Sequence, residues 1–269
     1  MTAKILVGTQ GWNYDGWVGP FYPPGTSKQE MLRLYSKVFN TVEIDSTFYA
    51  IPAESSVRSW AARTPQEFTF SVKLPSEITH KNRLRDSRDY FLQFVERMRL
   101  LGDKLGCVLI QLPPDFSPGE RKSLNSFLEL LPADIKFAVE FRDQKWITEQ
   151  TLKELNEHKV ALTLTDSKWI DRELVIKMAD QATADFSYVR WLGPRELTDF
   201  SRIQIDRSKE IKQWAEFFMN FRNQVSVIFG YFNNHFQGHS PASSNDFKRM
   251  LGLPFTSPRD LIIQPSLFS

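Results

Sequence analysis

The chain has 269 residues, enough to bury a large core in one α/β domain or two small ones. Hydrophobic residues at 41% and charged residues at 25% are values of an ordinary globular protein and exclude a disordered or fibrous chain. A net charge of +2 removes any bulk electrostatic case for nucleic acid or membrane, so such a partner has to be argued from local patches. The single cysteine, Cys107, excludes an internal disulfide and a cysteine-cluster zinc site, and its apolar run reads as a buried core thiol. MTAKILVGTQ leads straight into strand-like sequence, and no apolar run nears the ~20 residues of a bilayer span, so the chain reads as cytoplasmic.

KILVGT (4–9) opens a series of candidate strands. SKQEMLRLYSKVF follows, with Ser27 as N-cap and apolar residues recurring at three and four. TVEID (41–45) and FTFSVKL (68–74) are the next strands, and SRDYFLQFVERMRLLG is a helix closing on Gly102. CVLIQLP (107–113), KFAVEFR (136–142) and VALTLTD (160–166) are separated by the helical SPGERKSLNSFLELL and TEQTLKELNEH. FSYVRWL (186–192), SKEIKQWAEFFMNFR, VSVIFGYF (225–232) and a last helix complete the chain. Strand then helix, repeated, implies parallel pairing with right-handed crossovers. Eight such units in about 250 residues match an α/β fold of the TIM-type (β/α)₈ barrel, one domain over residues 1–269 with 254–269 as an extended tail. The competing doubly wound sheet usually carries a Gly-rich first turn; GTQGWNYDGW lacks the G-x-G-x-x-G spacing, and no cofactor is implied.

In a closed barrel one face of each strand meets the helices and the other fills the interior. Turning the apolar residues outward leaves Gln10, Glu43, Asp45, Lys73, Gln111, Glu140, Arg142 and Arg190 pointing inward, nearly all near the C-terminal ends of their strands. Barrel enzymes carry their sites there. Three carboxylates thus meet three cations, and because each alone would cost several kcal/mol to bury, mutual pairing is expected. One reading is a structural plug; the other, preferred because apolar residues fill a core at lower cost, is a polar ligand site. The loops add Trp12 and Tyr14 with Trp17, Phe21 and Tyr22, either packing over the barrel end or stacking on a sugar or base. They also add Thr47 and Tyr49, Asp166, Asn233 and Asn234, and His80 beside Lys81, Arg83, Arg85 and Arg88, a run that suits either solvent or phosphate.

GTQGWNYDGWVGPFYP, LYSKVFNTVEIDSTFYAIP, FTFSVKLPSEITH, QLPPDF, VEFRDQKW, YVRWLG and YFNNHFQGHSPASSND together resemble the YecE-like family, domain of unknown function seventy-two, from Gly8 to Asp246. The resemblance implies a TIM barrel and puts Gly11, Trp12, Glu43, Thr47, Tyr49, Lys73, His80, Gln111, Glu140, Arg142, Arg190, Asn233 and Asn234 at signature positions. DSKW and RWLG depart from the family's usual Asp-x-Pro and His-before-Gly, at Asp166 and Leu192. It implies no particular chemistry.

With only His80, His158, His235 and His239, and with cations at the expected site, the chain does not supply a zinc cluster, and no metal is assigned. A glycosidase needs two facing carboxylates, one of raised pKa; Glu43 or Asp45 with Glu140 supply the pair, while the neighbouring cations are expected to lower the pKa of each. The preferred reading is binding, with or without cleavage, of a phosphate-bearing or nucleic-acid ligand. Lys73, Arg142 and Arg190 hold the anion, Glu140 orients Arg142, and His80 moves protons near neutral pH. A carbohydrate-active hydrolase or isomerase is the alternative. The final IIQPSLFS resembles the short peptide with which bacterial proteins engage the DNA sliding clamp, with Gln264 as anchor and Leu267 and Phe268 as apolar plugs. That third reading is of a non-enzymatic adaptor; the tail simply docking on its own barrel is its rival.

Overall fold

A computed structural model describes residues 2–179 and 181–262. Eight strands, β1 (Lys4–Gln10), β2 (Thr41–Ile44), β3 (Thr69–Lys73), β4 (Leu105–Gln111), β5 (Phe137–Glu140), β6 (Ala161–Asp166), β7 (Phe186–Trp191) and β8 (Val227–Phe232), pair in parallel around a closed ring. β8 returns to β1 with Leu6 opposite Phe229, which leaves no sheet edge. Every strand end falls within two residues of its sequence expectation. The helices are α1 (Lys28–Tyr35), α2 (Glu54–Ala62), α3 (Arg88–Arg99), α4 (Arg121–Leu128), α5 (Glu149–Glu157), α6 (Arg172–Met178), α7 (Ser208–Phe221), α8 (Asn234–Gln237), α9 (Ser240–Met250) and α10 (Pro258–Ile262).

Ser27 caps α1 as expected, exchanging hydrogen bonds with Glu30: its backbone N–H and hydroxyl both donate to the Glu30 carboxylate, at 3.2 and 2.8 Å. Gly102 follows α3 at a φ of 57°, a conformation that costs glycine little. The sequence reading named neither α2 nor α6. Each buries a single residue, Val57 or Val175, so neither carries a full apolar stripe. The tail expected to be extended from residue 254 contains α10; Gln264, Leu267 and Phe268 lie outside the described residues. No described helix is long and apolar enough to cross a membrane.

The core has two parts. A large one lies between barrel and helices and includes Val42, Ile44, Phe70, Val72, Val108, Ile110, Val139 and Val189. A smaller one fills the lower interior with Leu6, Cys107, Leu109, Ala138, Ala161, Phe186, Tyr188, Phe229 and Tyr231. Above its apolar floor the interior becomes hydroxylic, with the Tyr231 hydroxyl 2.7 Å from Thr41 Oγ1 and 2.8 Å from Ser71 Oγ. The next inward position on β2, β3, β5 and β7 is Glu43, Lys73, Glu140 and Arg190. Polarity therefore rises along the axis toward the strand C-termini, the end where loops surround the mouth.

Candidate active site

Arg190 is the hub. Its Nη2 donates to Glu43 Oε1 at 2.7 Å and its Nη1 donates to Glu140 Oε2, while Asp45 Oδ1 lies 3.7 Å from Nη2. Glu43 and Glu140 are 0% exposed and Arg190 2%, so the three ions are removed from water and must satisfy one another. The Tyr188 hydroxyl donates to Glu43 Oε2 at 2.6 Å and ties the charged layer to the hydroxylic one. Arg142, just past β5, donates through Nε to Glu140 Oε1 at 3.1 Å.

These neighbours separate the two glutamates. Burial pushes Glu140 up, but Arg190, then Arg142 and Lys73, outweigh it and hold the carboxyl at about 2. For Glu43, burial outweighs Arg190, the only cation bonded to it among the described residues, and Asp45 adds to the rise, so its pKa reaches about 7. The expectation that nearby cations would lower both is thus corrected: one guanidinium does not offset complete burial at Glu43, whereas two guanidiniums and an ammonium do at Glu140.

Lys73 is only 6% exposed, yet among the described residues its ammonium has no carboxylate and no hydrogen-bond partner. Its Nζ sits 3.8 Å from the centre of the Phe48 ring. Burial lowers its pKa to about 8, with Asp45 opposing and Arg190 adding to the fall. Thr47 is turned to the backbone of the neighbouring strand. Its hydroxyl donates to the Lys73 carbonyl at 2.7 Å and accepts from the Lys73 N–H at 3.1 Å, anchoring the strand end that carries the amine.

His80 stands in the single helical turn after β3 (Glu77–Lys81), its Nδ1 2.9 Å from Thr79 Oγ1 and its Nε2 3.5 Å from Gln111 Nε2. Burial, then Lys73 and Arg142, lower its pKa to about 4. It is therefore neutral across the neutral range, which corrects its expected role as a proton carrier there. Arg142 keeps its terminal nitrogens free of protein partners among the described residues, with its guanidinium 5.9 Å from the Trp169 ring.

The remaining expected residues divide. Gln10 Oε1 accepts from Asn233 Nδ2 at 2.7 Å while its buried Nε2 has no partner among the described residues, and the Tyr14 hydroxyl donates to the Gln10 carbonyl at 2.9 Å. Trp12 is half-buried edge-on to Trp60, whereas Tyr49 is 81% exposed. Trp17, Phe21 and Tyr22 are fully buried, so the packing reading holds for them. Asn234 Oδ1 accepts from Trp17 Nε1, Ser240 N–H and Ser240 Oγ at 3.1, 3.0 and 2.8 Å, a structural knot at α8. Asp166 lies away from the mouth cluster. It shares the outward side of β6 with Leu164 and accepts from Arg172 Nε and Trp214 Nε1, both at 2.8 Å. Arg83 and Arg85 are held by Asp115 and Glu120, and Lys81 by Glu77, so three of the four cations in that run are paired. Sequence reasoning missed Tyr188, legible as the inward residue two before Arg190, and Phe48 and Trp169, for which loops carry no periodic signal.

A groove of about 770 Å³ lies at the opposite end, lined by residues including Lys136, His158 and Asp185. It contains none of the interlocked ions, and the N-terminal face of such barrels serves stability.

Residues 6–265 match the family described as "Protein of unknown function DUF72". The chain belongs to the DUF72 family. It is 33% identical to YecE of Escherichia coli K12 over 169 residues, 61% of this chain and 60% of that protein, so the match spans less than two thirds of YecE. It is 26% identical to YunF of Bacillus subtilis over 96% of this chain and 99% of YunF. A solved DUF72 protein of Thermotoga maritima superposes with a TM-score of 0.78 at 26% identity, covering 93% of this chain and 99% of that one.

Proposed function

We propose that the barrel mouth binds a small phosphate-bearing ligand. The observation that carries this reading is the unpaired positive charge: among the described residues Lys73 is buried with no ion pair, and Arg142 has spare terminal donors. Arg190, expected to share the role, is occupied by Glu43, Glu140 and Asp45 and instead acts as the keystone that holds the cluster. With its pKa raised to about 7, Glu43 carries only part of a negative charge near neutrality, which leaves less anionic charge against the cations of the mouth. A phosphate offers planar acceptor pairs that match the guanidinium fork, and neutral His80 can add a hydrogen bond without a charge.

A small ligand suits the mouth better than a nucleic acid. The cations that would extend a basic track, Arg83 and Arg85, are already neutralised by Asp115 and Glu120. The carbohydrate-hydrolase reading gains from the separated pKa values of Glu43 and Glu140, but Arg190 bonds to both carboxylates and fills the space between them that a glycosidic bond requires.

Titration calorimetry with inorganic phosphate, ribose 5-phosphate and a short single-stranded oligonucleotide tests the reading. Arg142→Ala removes charge-assisted bonds worth about 1.5–3 kcal/mol and is expected to weaken the phosphorylated sugar roughly 10- to 100-fold. Equal affinity of wild type and variant, or binding of none of the three, overturns it; preference for the oligonucleotide overturns the small-ligand form.

A further inference from the structure

Lys73 is placed for more than attraction. An ammonium that merely fills a core is commonly given oxygen partners by its own fold, and this protein does so elsewhere. Lys104 is as buried as Lys73 at 7% exposure, but its Nζ donates to the Ala61 and Thr64 carbonyls at 2.6 and 2.8 Å and to Thr64 Oγ1 at 3.2 Å. Lys248 is also buried, 5.6 Å from the Phe39 ring, but it lies on α9 in the helical layer and only burial perturbs it. Lys73 alone of these three sits at a strand C-terminus in the mouth. Its Nζ lies against the Phe48 ring, and the charges that act on it are Asp45, Arg190, Glu140 and Glu43, with His80 feeling both it and Arg142.

We propose that Lys73 is a covalent catalytic residue whose Nζ condenses with the carbonyl carbon of a phosphorylated aldehyde or ketone to form an imine. The Nζ–C bond forms, the carbonyl C–O bond breaks, and the oxygen leaves as water with the two hydrogens of the neutral amine. No oxidant, reductant or metal enters. An apolar wall and neighbouring cations are the surroundings that keep a lysine amine neutral and nucleophilic. Lowering its pKa from 10.5 to about 8 raises the neutral fraction at pH 7 by roughly two orders of magnitude. Arg142 holds the phosphate and so brings the carbonyl to the amine; this step rests on the phosphate reading above.

The full chain is incubated with glyceraldehyde 3-phosphate, reduced with borohydride, and analysed by intact mass and peptide mapping. The expected result is a single reduced adduct on the peptide containing Lys73, with labelling that rises through a midpoint near pH 8. It is lost in both Lys73→Met and Lys73→Arg; the second keeps the charge and so preserves the fold if the first does not. An adduct that persists in Lys73→Arg, or that spreads over exposed lysines, overturns the inference. If ribose 5-phosphate binds through Arg142 but Lys73 is never trapped, the imine fails and the phosphate reading stands. If unphosphorylated glyceraldehyde traps Lys73 as readily, the imine stands and the phosphate reading fails.

Discussion

Replacing Arg190 by Met is the sharpest test of the charged layer. The change keeps much of the side-chain volume but strands Glu43 and Glu140, both 0% exposed, without the guanidinium that bonds to each. Breaking a buried pair in this way costs about 3–5 kcal/mol. Glu140 alone supports a similar figure, because a pKa held at about 2 instead of 4.5 corresponds to roughly 3 kcal/mol at neutral pH. Against a typical total of about 5–15 kcal/mol, that loss leaves the variant close to unfolding. The pH dependence carries the diagnostic sign. In the wild type, the Glu140 contribution is present above pH 4.5 and is lost as pH falls toward 2. In the variant, burial without compensation raises both carboxylates above their unfolded values, so its deficit is largest above that range and shrinks as pH falls. Urea unfolding followed by tryptophan fluorescence at pH 7 and pH 4 measures both effects. Adding Glu43→Gln and Glu140→Gln to Arg190→Met should recover much of the loss at pH 7. A deficit under about 1 kcal/mol, or one equal at the two pH values, would refute the claim that Arg190 is the keystone.

Two further substitutions separate structure from site. Asp166→Asn weakens the bonds to Arg172 and Trp214 and should cost about 1–3 kcal/mol in urea unfolding while leaving phosphate affinity unchanged; a selective loss of affinity would return Asp166 to the site. Gly193 has a φ of 71°, and a Cβ there would stand 2.1 Å from the His235 carbonyl oxygen, so Gly193→Ala should lower the melting temperature clearly, by the equivalent of at least ~1–3 kcal/mol. An unchanged melting curve would show that the β7 loop yields freely.

Much of the barrel was legible because its signals are local. A strand buried on both sides still alternates with a period of two, and alternation alone turns Glu43, Lys73, Glu140 and Arg190 inward. The same rule, applied consistently, turns Asp166 outward with Leu164, where its partners Arg172 and Trp214 wait. Placing it with the ligand residues followed its position at a strand end and ignored its parity.

What the sequence determined by itself, then, was fold, family and the set of ions that share the barrel mouth, since each follows from patterns within a few residues or from matching motifs. Only the tertiary structure decided what those ions do. That Arg190 is shared by Glu43 and Glu140, that Glu43 rises to about 7 while Glu140 falls to about 2, and that the Lys73 ammonium lies over the Phe48 ring are outcomes of distances between separate strands and loops. Electrostatic energies change with separation and burial over a few ångströms, and no spacing along the chain encodes either.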